Sequence, residues 1–211
     1  MELSLFSWPD TLEGEIALTK ACIHQGLSVF HLRKPNWSYQ QTEAFLKGLT
    51  VEEQATVILH QHPDLRLFYP VKGIHFSSYQ PLKRYGHIFP EEPLSFSTSV
   101  HSLSEANELP EGFSMVYISP VFDSISKSNH FSIFDKSSLE ASLKNRSSKA
   151  RYYALGGIDE HNIQQAAAIG FGGAGVLGAV WHTFQRRGHH AALSGFRSLM
   201  LATKTSAYGR P

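Results

Sequence analysis

The sequence predicts a single compact (β/α)₈ barrel that spans residues 1–211. Short apolar runs, typical of buried strands, alternate along the chain with amphipathic stretches, typical of helices. This alternation indicates βαβ units and therefore a parallel sheet. Eight apolar runs occur at even spacing, which favours a closed barrel over an open flavodoxin-like sheet, since the open sheet needs fewer strands.

Each predicted strand is a short apolar run. The eight runs are residues 3–6, 29–32, 56–59, 73–76, 96–100, 115–119, 152–155 and 175–177. The first helix is predicted to begin at Asp10, with Glu13 in capping-box spacing, and to end at Gly26. Further helices are predicted over 39–46, around 139–143, from near His161 with Asp159 as a cap, and over 191–201.

Two connections are predicted to hold only shortened helices. Residues 61–72 and 77–89 are rich in proline, polar and aromatic side chains, which do not favour a regular helix. Residues 203–211 are polar, and we expect them to form a frayed tail.

Composition narrows the class of protein. The chain is 42% apolar and 18% charged with a net charge of +1, which is typical of one globular domain. It has no basic surplus for nucleic acid and no apolar run long enough for a membrane, so we expect neither nucleic acid nor a membrane as a partner. Cys22 is the only cysteine, which excludes an internal disulfide, and a cytoplasmic location is the default expectation. The composition leaves a homodimer open.

Glycines follow the seventh and eighth predicted strands. Gly156 and Gly157 end one strand, and Gly178 ends the next. Glycine exposes backbone N–H groups, and helix N-termini favour anions. Barrels of this kind frequently bind phosphate after these two strands, so we predict a phosphate cradle there, with tight turns as the alternative interpretation.

Polar side chains also follow the other strands. Arg33 has a guanidinium suited to phosphate, and Ser124, Ser126 and Lys127 could surround an anion. His101 ends the fifth strand, where an imidazole can move protons near neutral pH; capping the next helix is the alternative role.

The histidines at the ends of the third and fourth strands raise the question of a metal site. We predict no metal site from His60, His62 and His75, because no carboxylate accompanies them. His75 is expected to pack beside the ring of a ligand.

Five segments together resemble the thiamine phosphate synthase/TenI family. They are His31-Leu32-Arg33, residues 73–76, residues 99–102, residues 121–127 and residues 154–158. The resemblance implies a (β/α)₈ barrel enzyme of thiamine (vitamin B1) biosynthesis that binds a thiazole phosphate. Synthases of this family join a pyrimidine pyrophosphate to the thiazole phosphate with magnesium, whereas the TenI branch aromatizes the thiazole by moving a proton.

The chain departs from the synthase pattern where magnesium and pyrophosphate are bound. His31 and Pro35 replace the Gln and Lys of the Gln-Leu-Arg-x-Lys segment, although Lys34 is adjacent. His60-Gln61 stands where synthases carry Asn-Asp, and residues 78–80 lack their second aspartate. Magnesium prefers carboxylate oxygens, so no cofactor is expected unless the chain is a synthase.

The resemblance leaves three functions. The leading one is a TenI-like tautomerase in which His101 transfers the proton and Gly156, Gly157 and Gly178 hold the phosphate. The second is thiamine phosphate synthase, with Arg33, Lys34 and Lys127 on the pyrophosphate. The third is a non-catalytic relative that binds the ligand as a regulator.

Overall fold

The structure is a computed structural model and describes residues 1–77, 94–123, 134–145 and 149–205. Eight parallel strands form a closed barrel in chain order, and the last strand pairs with the first, which confirms the predicted (β/α)₈ fold. The strands are β1 (Glu2–Phe6), β2 (Val29–Leu32), β3 (Val57–Leu59), β4 (Gly73–Phe76), β5 (Ser95–Val100), β6 (Met115–Ile118), β7 (Arg151–Leu155) and β8 (Gly173–Val176).

Helices connect the strands on the outside. They are α1 (Glu15–His24), α2 (Tyr39–Lys47), α3 (Val51–Gln54), α4 (Leu103–Glu108), α5 (Lys136–Asn145), α6 (Ile163–Ile169) and α7 (Gly178–Thr205). Helix α7 is kinked at Gly188, where φ is 77° and the backbone is not helical. The first of the two shortened connections contains a 3₁₀ helix (Pro63–Leu67) rather than an α-helix. Most of the second, from residue 78 onward, lies outside the described residues.

The predicted start of the first helix was wrong. The helix begins at Glu15, after Gly14 in the left-handed conformation, and no side chain caps it. The backbone of Asp10 instead belongs to a loop, where its carbonyl oxygen accepts a hydrogen bond of 2.8 Å from the Lys34 ammonium. Capping boxes occur where they were not predicted, at Ser38 before α2 and at Thr50 before α3.

The barrel has two apolar layers. One lies between the strands and the helices and includes Trp181, whose indole N–H donates to the Phe6 carbonyl oxygen at 2.7 Å. This bond holds α7 against the end of β1. The second layer lies inside the barrel and consists of Phe6, Val29, Ile58, Met115, Tyr117 and Tyr153.

Two glycines of β8 make room for these interior rings. A Cβ on Gly173 would lie 2.1 Å from the ring of Tyr153, and one on Gly175 would lie 2.8 Å from the ring of Phe6. Any larger residue on this face of β8 would displace the aromatic side chains that fill the interior.

The first residue contacts the end of α7 beside the barrel. The Met1 ammonium donates to the carbonyl oxygen of Thr203 at 3.2 Å, and the Thr203 side chain is buried. Helix α7 therefore continues into the segment predicted to be a tail, while residues 206–211 lie outside the described part. None of the helices in the described ranges is long and apolar enough to cross a membrane.

Two glycine substitutions test this packing in opposite directions. Gly195 lies within α7, and a Cβ added there would meet no described atom within 4 Å apart from its chain neighbours and the backbone of its own helix, so Gly195→Ala should raise the free energy of unfolding by about 0.5–1 kcal/mol. Gly173→Ala should lower it by about 1–3 kcal/mol, because the methyl group overlaps the Tyr153 ring. Urea denaturation measures both, and equal effects of the two substitutions would contradict this account of β8.

Candidate functional site

The polar ends of the strands lie on one face of the barrel, which we call the mouth. All eight strands are parallel, so their carboxyl ends share this face. The mouth carries the residues that follow the strands, among them Arg33, His60, Ser77, His101, Ser119, Gly156 and Gly178.

His101 stands at the end of β5 with its ring held in one orientation. Its Nδ1 lies 2.9 Å from the carbonyl oxygen of Ser119, and the backbone N–H of His101 donates to the carboxylate of Glu105 at 2.8 Å. A carbonyl oxygen only accepts, so Nδ1 carries the hydrogen. In the neutral ring, Nε2 then holds a free lone pair and can accept a proton.

Gly156 and Gly157 are required by the backbone itself. Their φ values are 91° and 64°, in the left-handed region, and a Cβ on Gly157 would lie 2.4 Å from the carbonyl oxygen of Asp123. The loop after β7 thus packs directly on the loop after β6, where the N–H of Phe122 donates to the Gly156 carbonyl oxygen. Tight packing accounts for both glycines whether or not they also bind a ligand.

Backbone donors are nevertheless available beside these glycines. Within the described ranges, the N–H groups of Gly156, Gly157, Gly178 and Ala179 have no hydrogen-bond acceptor. Gly178 and Ala179 form the first turn of α7, where unpaired N–H groups favour an anion. The phosphate cradle stays a prediction, and its donors are free to serve it.

Arg33 leaves the end of β2 with a fixed backbone and an exposed side chain. Its N–H donates to the Ser7 hydroxyl at 2.8 Å, and that hydroxyl donates to the Arg33 carbonyl oxygen at 2.9 Å. The guanidinium forms no ion pair with a described residue, yet it is near enough to lower the pKa values of His60 and His75, after the larger effect of burial. Arg33 therefore offers a cation at the mouth.

Lys34 has a structural role that the sequence did not indicate. Its side chain is 1% exposed, and its ammonium donates to the Glu15 carboxylate and to the Asp10 carbonyl oxygen. The ammonium also lies 4.5 Å from the centre of the Trp37 ring. Burial raises the pKa of Glu15 and lowers that of Lys34, and the ion pair opposes both shifts. Two of the three ammonium N–H groups thus have acceptors inside the protein, which opposes the predicted contact of Lys34 with a phosphate, and that contact stays a prediction.

Three histidines form a cluster beneath the mouth, which we call the imidazole cluster: His31 of β2, His60 after β3 and His75 of β4. One ring nitrogen from each lies within 4.8 Å of the others. His31 Nδ1 is 2.9 Å from His60 Nε2, and the rings of His60 and His75 stack with their centres 4.1 Å apart. Burial lowers the pKa of all three, to about 3 for His75, so the rings are neutral at physiological pH.

His31 was not predicted as a member of this cluster. Residues two apart in a strand share a face. Val29 and Ile58 face the interior, so His31 and His60, two residues further along, face it as well. This alternation was the signal that could have united the histidines. His62, by contrast, lies outside the cluster, with Nε2 2.9 Å from the Trp37 carbonyl oxygen.

Of the remaining predicted ligands, only His75 lies in the described part of the chain. His75 packs against His60 and lies close to two hydroxyls, with Nδ1 2.9 Å from Ser97 Oγ and Nε2 3.3 Å from Ser99 Oγ. Its predicted contact with a ligand ring stays a prediction. Ser124, Ser126 and Lys127 lie outside the described residues.

The chain is similar to known proteins over most of its length. A family model described as thiamine monophosphate synthase matches residues 9–180. A protein named thiamine-phosphate synthase from Pelotomaculum thermopropionicum is 27% identical over 170 residues, covering 78% of this chain and 77% of its own.

Solved structures agree over nearly the whole chain. Thiamine phosphate pyrophosphorylase from Bacteroides thetaiotaomicron superposes with a TM-score of 0.80 and 26% identity, covering 96% of this chain and 98% of its own. The protein of the same name from Pyrococcus furiosus gives a TM-score of 0.78 at 20% identity, covering 97% of this chain and 96% of its own, which shows the shared fold.

Replacing Lys34 tests its structural role. Lys34→Met should lower the free energy of unfolding by about 3–5 kcal/mol, because it leaves the Glu15 carboxylate buried without its partner. The double substitution Glu15→Gln/Lys34→Met should restore part of the loss. Lys47→Met, which removes an exposed partner of Glu43, is the matched control and should change stability little. Urea denaturation measures these free energies. If Lys34→Met were as stable as the wild type, the structural role of Lys34 would be contradicted.

Proposed function

This chain belongs to the thiamine monophosphate synthase family of enzymes, and we propose that within it the chain is a TenI-like tautomerase acting on a thiazole phosphate. The observation that carries the proposal is the His101 ring, which the Ser119 carbonyl oxygen orients through Nδ1, and whose Nε2 has no hydrogen-bond partner among the described residues. Tautomerization removes a proton from one position of the substrate and returns one at another, with no other change in composition. One imidazole that accepts and then donates a proton can therefore catalyse it.

The phosphate and the proton-transfer group lie on the same face in this proposal. The free N–H groups of Gly156, Gly157, Gly178 and Ala179 are the proposed donors to the phosphate. They follow β7 and β8, while His101 follows β5, so the thiazole ring would extend from the phosphate across the mouth toward His101. Arg33 adds a positive charge on the same rim.

Magnesium, which the family resemblance implies for a synthase, does not fit the described residues well. Among them, the one group of three neighbouring side chains of metal-ligand type is His31, His60 and His75. Magnesium prefers oxygen ligands, and imidazole nitrogens are poor substitutes. We therefore derive no step through magnesium and expect tautomerization to proceed without it.

Thiamine phosphate synthase is the second candidate. It is favoured by the names of the similar proteins from Pelotomaculum thermopropionicum and Bacteroides thetaiotaomicron. The exposed Arg33 guanidinium would suit a pyrophosphate in that reaction. Formation of thiamine phosphate from the pyrimidine pyrophosphate and the thiazole phosphate, dependent on added magnesium, would place this candidate first.

The catalytic role of His101 can be tested directly. We expect His101→Gln to lower the rate of thiazole tautomerization by about 10²–10⁴-fold, because glutamine keeps the bulk and polarity of the side chain but cannot carry a proton back and forth. Binding of the thiazole phosphate, measured by calorimetry, should stay within a few-fold of wild type, since the backbone donors are unchanged. An unchanged turnover would remove His101 from the mechanism, and a wild-type enzyme without tautomerase activity would remove the proposed function.

The phosphate cradle can be tested at the first residue of α7. Gly178→Pro removes one N–H, and proline is tolerated at the first position of a helix. We expect the dissociation constant for thiazole phosphate to rise about 10-fold or more, as for the loss of one hydrogen bond to a charged group. Gly178→Ala keeps the N–H and is the matched control. If proline and alanine have equal effects on binding, the Gly178 N–H is not a ligand.

A further inference from the structure

We propose that His31, His60 and His75 form a site for a divalent transition metal of the zinc class, inside the barrel beneath the mouth. The three side chains come from β2, β3 and β4, which are neighbours in the sheet, and one ring nitrogen of each lies within 4.8 Å of the others. Imidazole nitrogen is a preferred ligand of zinc, copper, iron and nickel.

The hydrogen bonds of His31 place its hydrogen on Nε2 and leave the lone pair of Nδ1 available to a metal. The Ser4 hydroxyl donates to the Ala174 carbonyl oxygen at 3.2 Å, so its oxygen is free to accept from the Tyr117 hydroxyl at 2.9 Å. The Tyr117 oxygen then accepts from His31 Nε2, 2.7 Å away. With its hydrogen on Nε2, neutral His31 presents the lone pair of Nδ1 toward His60.

His75 has a similar arrangement. Its Nδ1 lies 2.9 Å from Ser97 Oγ, which can accept the ring N–H, and this leaves Nε2 with the lone pair. A histidine that binds a metal generally donates its other N–H to an oxygen, which fixes the ring and its tautomer. Tyr117 and Ser97 are in position to do this for His31 and His75.

The cluster must rearrange slightly to bind a metal. Zinc–nitrogen bonds of about 2.0–2.1 Å place tetrahedral ligands about 3.3 Å apart, less than the 4.8 Å limit observed here. The rings of His60 and His75 are inclined by only 17°, so one ion cannot lie in both ring planes until one ring turns. His60 follows β3 and is only partly buried, so it is the ring with freedom to turn.

Charge around the cluster also bears on the site. An imidazole binds a metal through a ring-nitrogen lone pair, and the tautomers described above leave one lone pair on His31 and one on His75. Among the described residues, Arg33 is the charged group that acts on His60 and His75, and its guanidinium opposes a cation while favouring an anion beside it. Three protein ligands leave a fourth position, which an oxygen anion or water would complete on the side of the mouth.

Zinc uptake by the purified chain, without an affinity tag and stripped of metal by chelation, tests the proposal. We expect one equivalent of zinc per chain by elemental analysis and by calorimetric titration, and cobalt(II) should give the visible absorption of a tetrahedral site. His60→Gln removes a ligand and should weaken zinc binding at least 10-fold. Tyr117→Phe removes only the hydroxyl that orients His31 and should weaken binding about 10–100-fold.

The control is His161→Gln, whose side chain is exposed and lies outside the cluster, and it should bind zinc as the wild type does. Near-UV circular dichroism checks that each variant is folded; if His60→Gln does not fold, Tyr117→Phe decides the result. Absence of zinc uptake by the wild-type chain would overturn the proposal and leave the cluster a hydrogen-bonded network. Wild-type zinc affinity in the folded variants of His60 and Tyr117 would overturn it equally.

Discussion

The interior of this barrel depends on the absence of side chains from one face of β8. Gly173 and Gly175 leave the volume that Tyr153, Phe6 and Tyr117 occupy. Tyr117 is fully buried, and burial raises the pKa of its hydroxyl well above the usual value, so it remains a phenol that can donate and accept. Through this hydroxyl, the packing of β8 determines which nitrogen of His31 faces the neighbouring histidines.

A closed barrel also explains why a polar interior is tolerated. Buried polar groups are costly unless they are hydrogen-bonded, and neutral imidazoles can both donate and accept. His31 uses one nitrogen for Tyr117 and the other for His60, so it has no unsatisfied polar atom. The stacked contacts of His31 on Phe6 and of His60 on His75 fill the remaining space. The interior therefore combines satisfied hydrogen bonds with side chains that can both donate and accept.

Much of the architecture could be predicted from the sequence because strands and helices have different periods. The apolar runs located all eight strands to within one or two residues, and β2 and β4 matched at both ends. The start of α1 was missed because the capping-box spacing of Asp10 and Glu13 is a local signal, whereas a tertiary contact with Lys34 holds the Asp10 backbone in a loop. Local patterns do not contain such long-range contacts.

Part of the candidate site was predictable because the strand ends could be located in the sequence. Residues directly after strands, such as Arg33 and His101, could be assigned to the mouth from strand ends alone. Lys34 and Arg33 are adjacent in sequence, yet one is buried in an ion pair and the other is exposed, because successive residues point to opposite sides of an extended chain. The partner of Lys34 is 19 residues away, and only the folded chain identifies it.

The contact between Met1 and Thr203 shows that the first strand and the last helix of the barrel are neighbours in space. In a closed barrel of βα units, the chain could begin before any of the strands without changing which strands are neighbours. A short linker could therefore join these two ends while new ones are opened in an exposed connection, such as the 3₁₀ segment between β3 and β4. The order of strands around the barrel would be retained under such circular permutation, although their order along the chain would change.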